Sequence, residues 1–439
     1  MKFTYWYCVA GLAPIFTQAC LLPEEREGKP RIARRQTSNG IAIGTGDRYS
    51  AGTIAPQGVG SQNTNVSTLL NVNEIASAIK GLASVYGIST FDTPYKTSEG
   101  ASITGGKVGG NGTCNDAIRV YFNGGLHARE RGSPDGLLYF IGDLLYAQKN
   151  GVGLKYGSKS YTNAQVKTAL STGIVFIPLS NPDGVAYDQS TNSCWRKNRN
   201  PKSGTGNNAG VDLNRNFDFL WDLTKFAESA RNDIASADPA SEVFHGTAAF
   251  SEPETQSVKW IMDTYSKVRW FVDLHAFAGD ILYSWGSDTN QGSFPYMNFL
   301  NSSYDAVRGI VTDTPGSGPA YGEYTPNAEF TTNKAAATQM SAGMSAAAGR
   351  TYSAIPAAQL YPTSGGVSDD YSYSRHFADP SKNLIHGYTI EFGFGNDAAS
   401  CPFYPSQTQH NMNLQEIGAG YMELLLAAVS MGLGDATTC

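Results

Sequence analysis

"IRVYFNGGLHARERGSPDGLLYFIGDLL", residues 118 to 145, carries a strand, a glycine loop and a helix in one run. Ile118 to Phe122 alternate strand-forming side chains and lead into Gly124 and Gly125. Ser133 and Pro134 suit a helix cap and first turn. Leu137, Leu138, Phe140, Ile141, Leu144 and Leu145 then fall on one helical face. Similar units recur downstream. "GIVFIPLSNPDG" reads as a buried strand ending in a turn at Asn181 to Gly184, "SEPETQSVKWIMDTY" as a capped helix before the strand "RWFVDLH", and "GYTIEFG" as a further strand near residue 390. Strands alternating with helices predict an α/β fold, a single domain with a mixed, mostly parallel central sheet flanked by helices.

The glycine loop holds His127 and Glu130, and "RWFVDLH" ends in His275. In open α/β sheets, ligands bind beyond the carboxyl ends of the strands. Two histidines, one glutamate and an open fourth position form a known catalytic zinc arrangement. Spacing alone leaves a second reading open: a lone histidine is more often a surface or core residue, and Glu130 alone is equally a carboxylate favoured by a helix dipole.

Composition narrows the setting. Lys2 precedes an apolar run from Phe3 to Phe16, with small residues at Thr17 and Ala19, which predicts a signal peptide over 1–20 because the run is too short to span a bilayer. Residues 21–35 read as a short propeptide ending in the dibasic pair Arg34 and Arg35, residues 36–69 as a Gly-, Ser-, Thr- and Asn-rich extension, and residues 70–439 as the main domain. The full chain carries a formal charge of −6, and loss of residues 1–35 brings it to −9. Such a chain has no general attraction to nucleic acid or anionic membranes. The expected product is soluble, extracellular and monomeric.

Outside the signal region, Cys114, Cys194, Cys401 and Cys439 predict two disulfides, with three possible pairings. Nearness in sequence favours Cys401 with Cys439. The absence of any CxxC pair argues against a cysteine zinc cluster. Sequons at Asn65, Asn111 and Asn301 are consistent with a glycoprotein.

Eight motifs then occur in order: "HARE" at 127, "SNPDG" at 180, "CWRKNR" at 194, "GVDLNRNF" at 210, "FSEPETQ" at 250, "DLH" at 273, "YPTSGG" at 361 and "YTIEFG" at 388. In sequence and rough spacing they resemble the zinc metallocarboxypeptidases of the carboxypeptidase A and B type, over roughly residues 70 to 430. The resemblance implies one Zn2+ per chain, held by His127, Glu130 and His275. It implies Glu391 as general base and Arg196 as oxyanion stabiliser. Asn214 and Arg215 would grip the substrate's terminal carboxylate, Tyr361 would close over the substrate, and Arg129 would make a secondary substrate contact. Asp212 is a candidate for orienting His127 through its other ring nitrogen. Peptide and protein C-termini are the implied partners.

Some features depart from the family. Arg131 stands where many relatives have an aromatic residue. The stretch of about residues 287 to 330, with "DTPGSGPAYGEYTPN", predicts a long surface loop that would limit entry from the funnel rim, and the Ala-rich run after Asn333 predicts a helix. Residues 21–35 are too few to fold alone, so inhibition by a folded prodomain is not expected. In "SGGVSDDYSY", plain counting places Ser368 at the base of the pocket for the C-terminal side chain. Aligning Asp370 and Tyr371 with the family's acidic and aromatic residues places Asp369 there instead, and the latter implies a preference for C-terminal Lys or Arg. The rival functions are a catalytically inactive zinc-binding homologue, a related secreted zinc amidohydrolase and a purely structural protein.

Overall fold

The computed structural model describes residues 21–22, 25, 38–110, 114–204, 208–360 and 364–434. The predicted signal peptide, Arg34, Arg35, Asn111, Tyr361 and Cys439 lie outside the described residues. Eight strands form one sheet: β1 (Ser89–Lys96), β2 (Ser102–Val108), β3 (Val120–Gly124), β4 (Ile174–Ile177), β5 (Trp270–His275), β6 (Asp280–Tyr283), β7 (Ser353–Pro356) and β8 (His386–Glu391). Their spatial order is β1-β2-β4-β3-β5-β8-β6-β7. The central strands β4, β3, β5 and β8 run parallel. β1 and β2 form an antiparallel hairpin that joins β4 antiparallel, and β6 runs against β8. The sheet is therefore mixed with a parallel centre, as the alternating pattern predicts.

The longer helices are α1 (Val72–Tyr86), α2 (Ser133–Asn150), α3 (Asn163–Ser171), α4 (Pro182–Thr191), α5 (Pro253–Thr264), α6 (Asn327–Ala348), α7 (Ser368–Ala378) and α8 (Gln407–Met431). The central strands are apolar on both faces because helices cover both. Val120 and Phe122 of β3, with Ile174 and Phe176 of β4, pack among α1, α2, α6 and α8. Tyr121, Val175 and Ile177 point the other way, into a core shared with α5 and α7. The period of two along each strand thus assigns side chains to two cores, and each buried Val, Ile or Phe contributes about 1.5–3 kcal/mol.

Local structure differs from expectation at four points. Ser133 is not a cap: α2 starts with it after Gly132 (φ 102°). Its hydroxyl accepts from Gly125 N at 2.9 Å and donates to Leu274 O at 2.8 Å, which fixes the glycine loop to β5. Asn181 to Gly184 is not an isolated turn but the start of α4, where the Asn181 side chain caps Gly184 N at 3.0 Å. The helix expected after Asn333 begins earlier, at Asn327.

The fourth difference is covalent. Cys401 pairs with Cys194, with Cα atoms 5.6 Å apart, and not with Cys439. Chain folding rather than sequence distance decides this pairing. The Tyr404 hydroxyl accepts from Cys194 N at 2.7 Å and donates to Asp188 Oδ1 at 2.5 Å, while Tyr404 N donates to Cys401 O at 2.9 Å, so the two cysteines share one small cluster with Phe403. Cys114 is also disulfide-bonded.

Candidate metal centre

Three adjacent parallel strands end at the same edge. β3 leads into the loop with His127 and Glu130, β5 ends at His275, and β8 ends at Glu391, which lies in register with His275. Glu130 lies 2.7 Å from His127 Nδ1 through Oε1 and 2.9 Å from His275 Nδ1 through Oε2. The candidate ligand atoms of His127, Glu130 and His275 all lie within 4.8 Å of one another, and the three residues are buried. Two imidazole nitrogens and a carboxylate facing one point form a donor set suited to zinc.

The partners behind this triad hold its orientation. Asp212 accepts from His127 Nε2 at 3.0 Å, and from Arg196 through Nε at 3.1 Å and Nη2 at 2.9 Å. Ala276 N donates to Glu130 Oε2 at 3.1 Å. Burial opposes ionisation of Glu130, but the charges of His127 and His275 outweigh it and hold the carboxyl below the usual carboxylate range. For Asp212 burial is likewise outweighed, by Arg196 and His127. Burial would lower the His275 pKa, yet Asp273 and Glu130 raise it well above the ordinary value. A divalent ion at this point would take the place of that proton.

Arg196 lies against this centre, and Asn214 is connected to it through Asp212. Arg196 Nη1 lies 3.9 Å from Glu130 Oε1. Asn214 N donates to Asp212 Oδ1 at 3.1 Å, and Arg215 is braced through Nε on Ile234 O at 2.7 Å and Nη1 on Asn214 O at 2.7 Å. Gly366 of the "SGG" run has φ 70°, and a Cβ there would lie 2.2 Å from Arg215 O, so only glycine lets this turn press against the Arg215 backbone. Arg129 is buried, lies 4.4 Å over the Phe403 ring and is paired with Glu25. Arg131 fills the place of the expected aromatic side chain by bonding Asp188 and stacking 3.4 Å from the Tyr404 ring.

Ser368 and Asp369 open α7. The Ser368 hydroxyl is bound to Asp273, and burial pushes the Asp369 carboxyl up to about 6. Sequence reasoning missed Asp273, Ser368 as a structural link, and Glu25. A carboxylate inside the apolar strand "WFVDLH" was the available signal for Asp273, since such a group requires partners. Glu25 sits in a charged run that gives no such signal.

The family described as zinc carboxypeptidase matches residues 75–416. Zinc carboxypeptidase A 1 of Drosophila melanogaster is 31% identical over 260 residues, covering 58% of this chain and 54% of that protein. Carboxypeptidase B of Helicoverpa zea is 32% identical over 177 residues, covering 38% of this chain and 34% of that one. An inactive metallocarboxypeptidase of Arthroderma otae is 32% identical over 200 residues, 43% of this chain and 30% of that one. The chain thus spans about half or less of the length of these relatives. The crystal structure of carboxypeptidase A from Helicoverpa armigera superposes with a TM-score of 0.59 at 20% identity, covering 83% of this chain and 74% of that one. That of thrombin activatable fibrinolysis inhibitor gives 0.59 at 20% identity, covering 83% and 75%. At this identity the likeness is one of fold.

Proposed function

The chain belongs to the zinc carboxypeptidase family, and on that premise we propose that it is a secreted, monomeric exopeptidase that hydrolyses the C-terminal bond of peptides and proteins. The observation that carries this reading is the convergence of His127, Glu130 and His275 within 4.8 Å. Zinc bound there would polarise the scissile carbonyl and acidify a water. Glu391, beside His275 at the end of β8, takes the proton of the attacking water and returns it to the leaving amine.

Arg196 is held by Asp212 in a buried position, where a fixed cation stabilises developing oxyanion charge best. Asn214 and Arg215 bind the free carboxylate, and a guanidinium fork suits this by paired hydrogen bonds. Tyr361 closes over the substrate, and Arg129 contacts it upstream. The requirement for a terminal carboxylate makes the enzyme an exopeptidase.

A preference for C-terminal Lys or Arg rests on Asp369. The Ser368 hydroxyl is engaged with Asp273, which supports Asp369 as the pocket residue. A carboxyl raised to about 6 by burial gains from a cationic guest that restores its charge. The stretch from residue 287 to 330 follows β6, and Gly286 just before it donates through N to Asp370 Oδ2 of α7 at 2.9 Å, which supports a place on the funnel rim.

The deciding experiment measures zinc content and release of the last residue from peptides ending in Arg, Lys, Leu or Phe, each with a free or amidated terminus. Release of Arg or Lys from free termini only is expected. Preference for Leu or Phe removes the role given to Asp369, and turnover of amidated peptides favours a zinc amidohydrolase. The similarity to a relative named as inactive keeps a second reading in view, a zinc-binding homologue without turnover. Zinc-loaded protein that releases nothing from any of these peptides would support it.

A further inference from the structure

We propose that Ser368 is a positioning residue that joins the metal-holding half of the site to the carboxylate-gripping half. Its hydroxyl donates to Asp273 Oδ2 at 2.7 Å, and its backbone N–H donates to Asn214 Oδ1 at 2.9 Å. It has no exposed surface, and neither has Asp273. The residue thus bonds at once to β5, to the loop after Asp212, and to its own helix α7.

The hydroxyl bond acts on the metal side. Asp273 stands two residues before His275 on β5, so the two side chains share a face. Asp273 Oδ2 lies 3.2 Å from His275 Nε2, and that nitrogen has no well-aligned hydrogen bond. Something else must therefore hold the carboxylate toward the ring. Asn123 Nδ2 fixes Asp273 Oδ1 at 2.8 Å, and the Ser368 hydroxyl fixes Oδ2. Asn123 is itself tied to Ser180 at 2.5 Å and Tyr121 at 3.1 Å. Asp273 is clamped from both ends, and its clamp sets the tilt and tautomer of His275. Partners of this kind commonly govern metal affinity.

The N–H bond acts on the substrate side. An amide whose oxygen is taken by Ser368 N–H presents its NH2 group elsewhere, and only that end can bind a carboxylate. The start of α7 thereby fixes the polarity of Asn214. No side chain supplies the cap of α7 at Val367, and the serine hydroxyl reaches across to β5 instead of back to its own helix.

This inference rests on the reading of His127, Glu130 and His275 as zinc ligands. It is tested by measuring zinc affinity, by competition with a chromogenic chelator, for the parent, Ser368→Ala, Ser368→Thr and Asn214→Ala. Ser368→Ala should weaken zinc binding about ten-fold and leave KM for free-carboxylate peptides unchanged, because the N–H remains. Ser368→Thr should restore affinity, and Asn214→Ala should raise KM without loosening zinc. Equal zinc affinity in parent and Ser368→Ala overturns the proposal, as does a Thr variant as weak as Ala. If Ser368→Ala does not fold, Ser368→Cys, similar in shape but a weak donor, provides the same comparison. A parent that binds no zinc overturns the metal reading itself.

Discussion

Glu25 holds Arg129 by two parallel hydrogen bonds, Oε1 to Nη1 at 2.8 Å and Oε2 to Nη2 at 3.0 Å. Leu22, three residues earlier, is buried against Cys194, Cys401, Phe403 and Tyr404. Leu22 and Glu25 therefore both lie on the wall that carries a proposed substrate contact. Cleavage after Arg35 would remove the carboxylate and leave Arg129 open to substrate. The expected result is a KM about ten-fold lower for the chain starting at Gln36, the equivalent of one charge-assisted hydrogen bond of about 1.4 kcal/mol. Glu25→Ala in the uncut chain should recover part of that gain. Identical KM values for the cut, uncut and Glu25→Ala proteins would show that this pair lies off the substrate path.

Glu391 separates chemistry from metal binding. It lies beside His275 in register but belongs to a different strand from all three proposed ligands. Glu391→Gln should keep one zinc per chain and lower kcat by about 10²–10⁴-fold. Chelation of the parent should abolish hydrolysis reversibly. A glutamine variant that still turns over at the parental rate would require another base.

The candidate metal centre was legible only through the order of several motifs, since His275 lies 148 residues after His127 and spacing alone left a second reading open. His127 and Glu130 share one loop, and His275 and Glu391 each end an apolar strand, so the parallel order of β3, β5 and β8 alone brings them together. Other features depend on distant packing. Nothing near Cys401 announces Cys194, 207 residues away, and nothing in "LLPEEREG" announces Arg129. Ser133 resembled a cap because its type and its neighbour Pro134 fit one, yet its hydroxyl serves the loop that presents His127. Local chemistry identifies what a residue is able to bind, and the fold decides which partner arrives.

The Cys194–Cys401 bond closes a long loop beside the site, so its loss should be felt globally. Replacing both cysteines by serine should lower unfolding free energy by about 3–5 kcal/mol, read from urea denaturation. Peptide mapping of the unreduced protein should recover the Cys194 peptide joined to that of Cys401. Recovery of Cys401 joined to Cys439 would overturn the pairing.

The stretch after β6 should respond to pH. Glu323 is buried; Oε1 accepts from Phe299 N at 2.8 Å and Oε2 from the Tyr321 hydroxyl at 2.8 Å. Burial pushes its carboxyl up to about 8, although Tyr321 and Arg308 pull the other way and Asp288 adds to the rise. Burial raises Asp288 as well, to about 7. Both groups bind protons more tightly folded than unfolded, where ordinary values near 4 apply. Their contribution is therefore complete below about pH 4 and is lost as pH rises toward 8. Limited proteolysis between residues 290 and 325 should speed up from pH 5 to pH 8. Glu323→Gln should flatten that dependence, since the amide carries no charge and the Tyr321 hydroxyl can turn to accept from it. Equal pH slopes in parent and variant would place the sensitivity elsewhere.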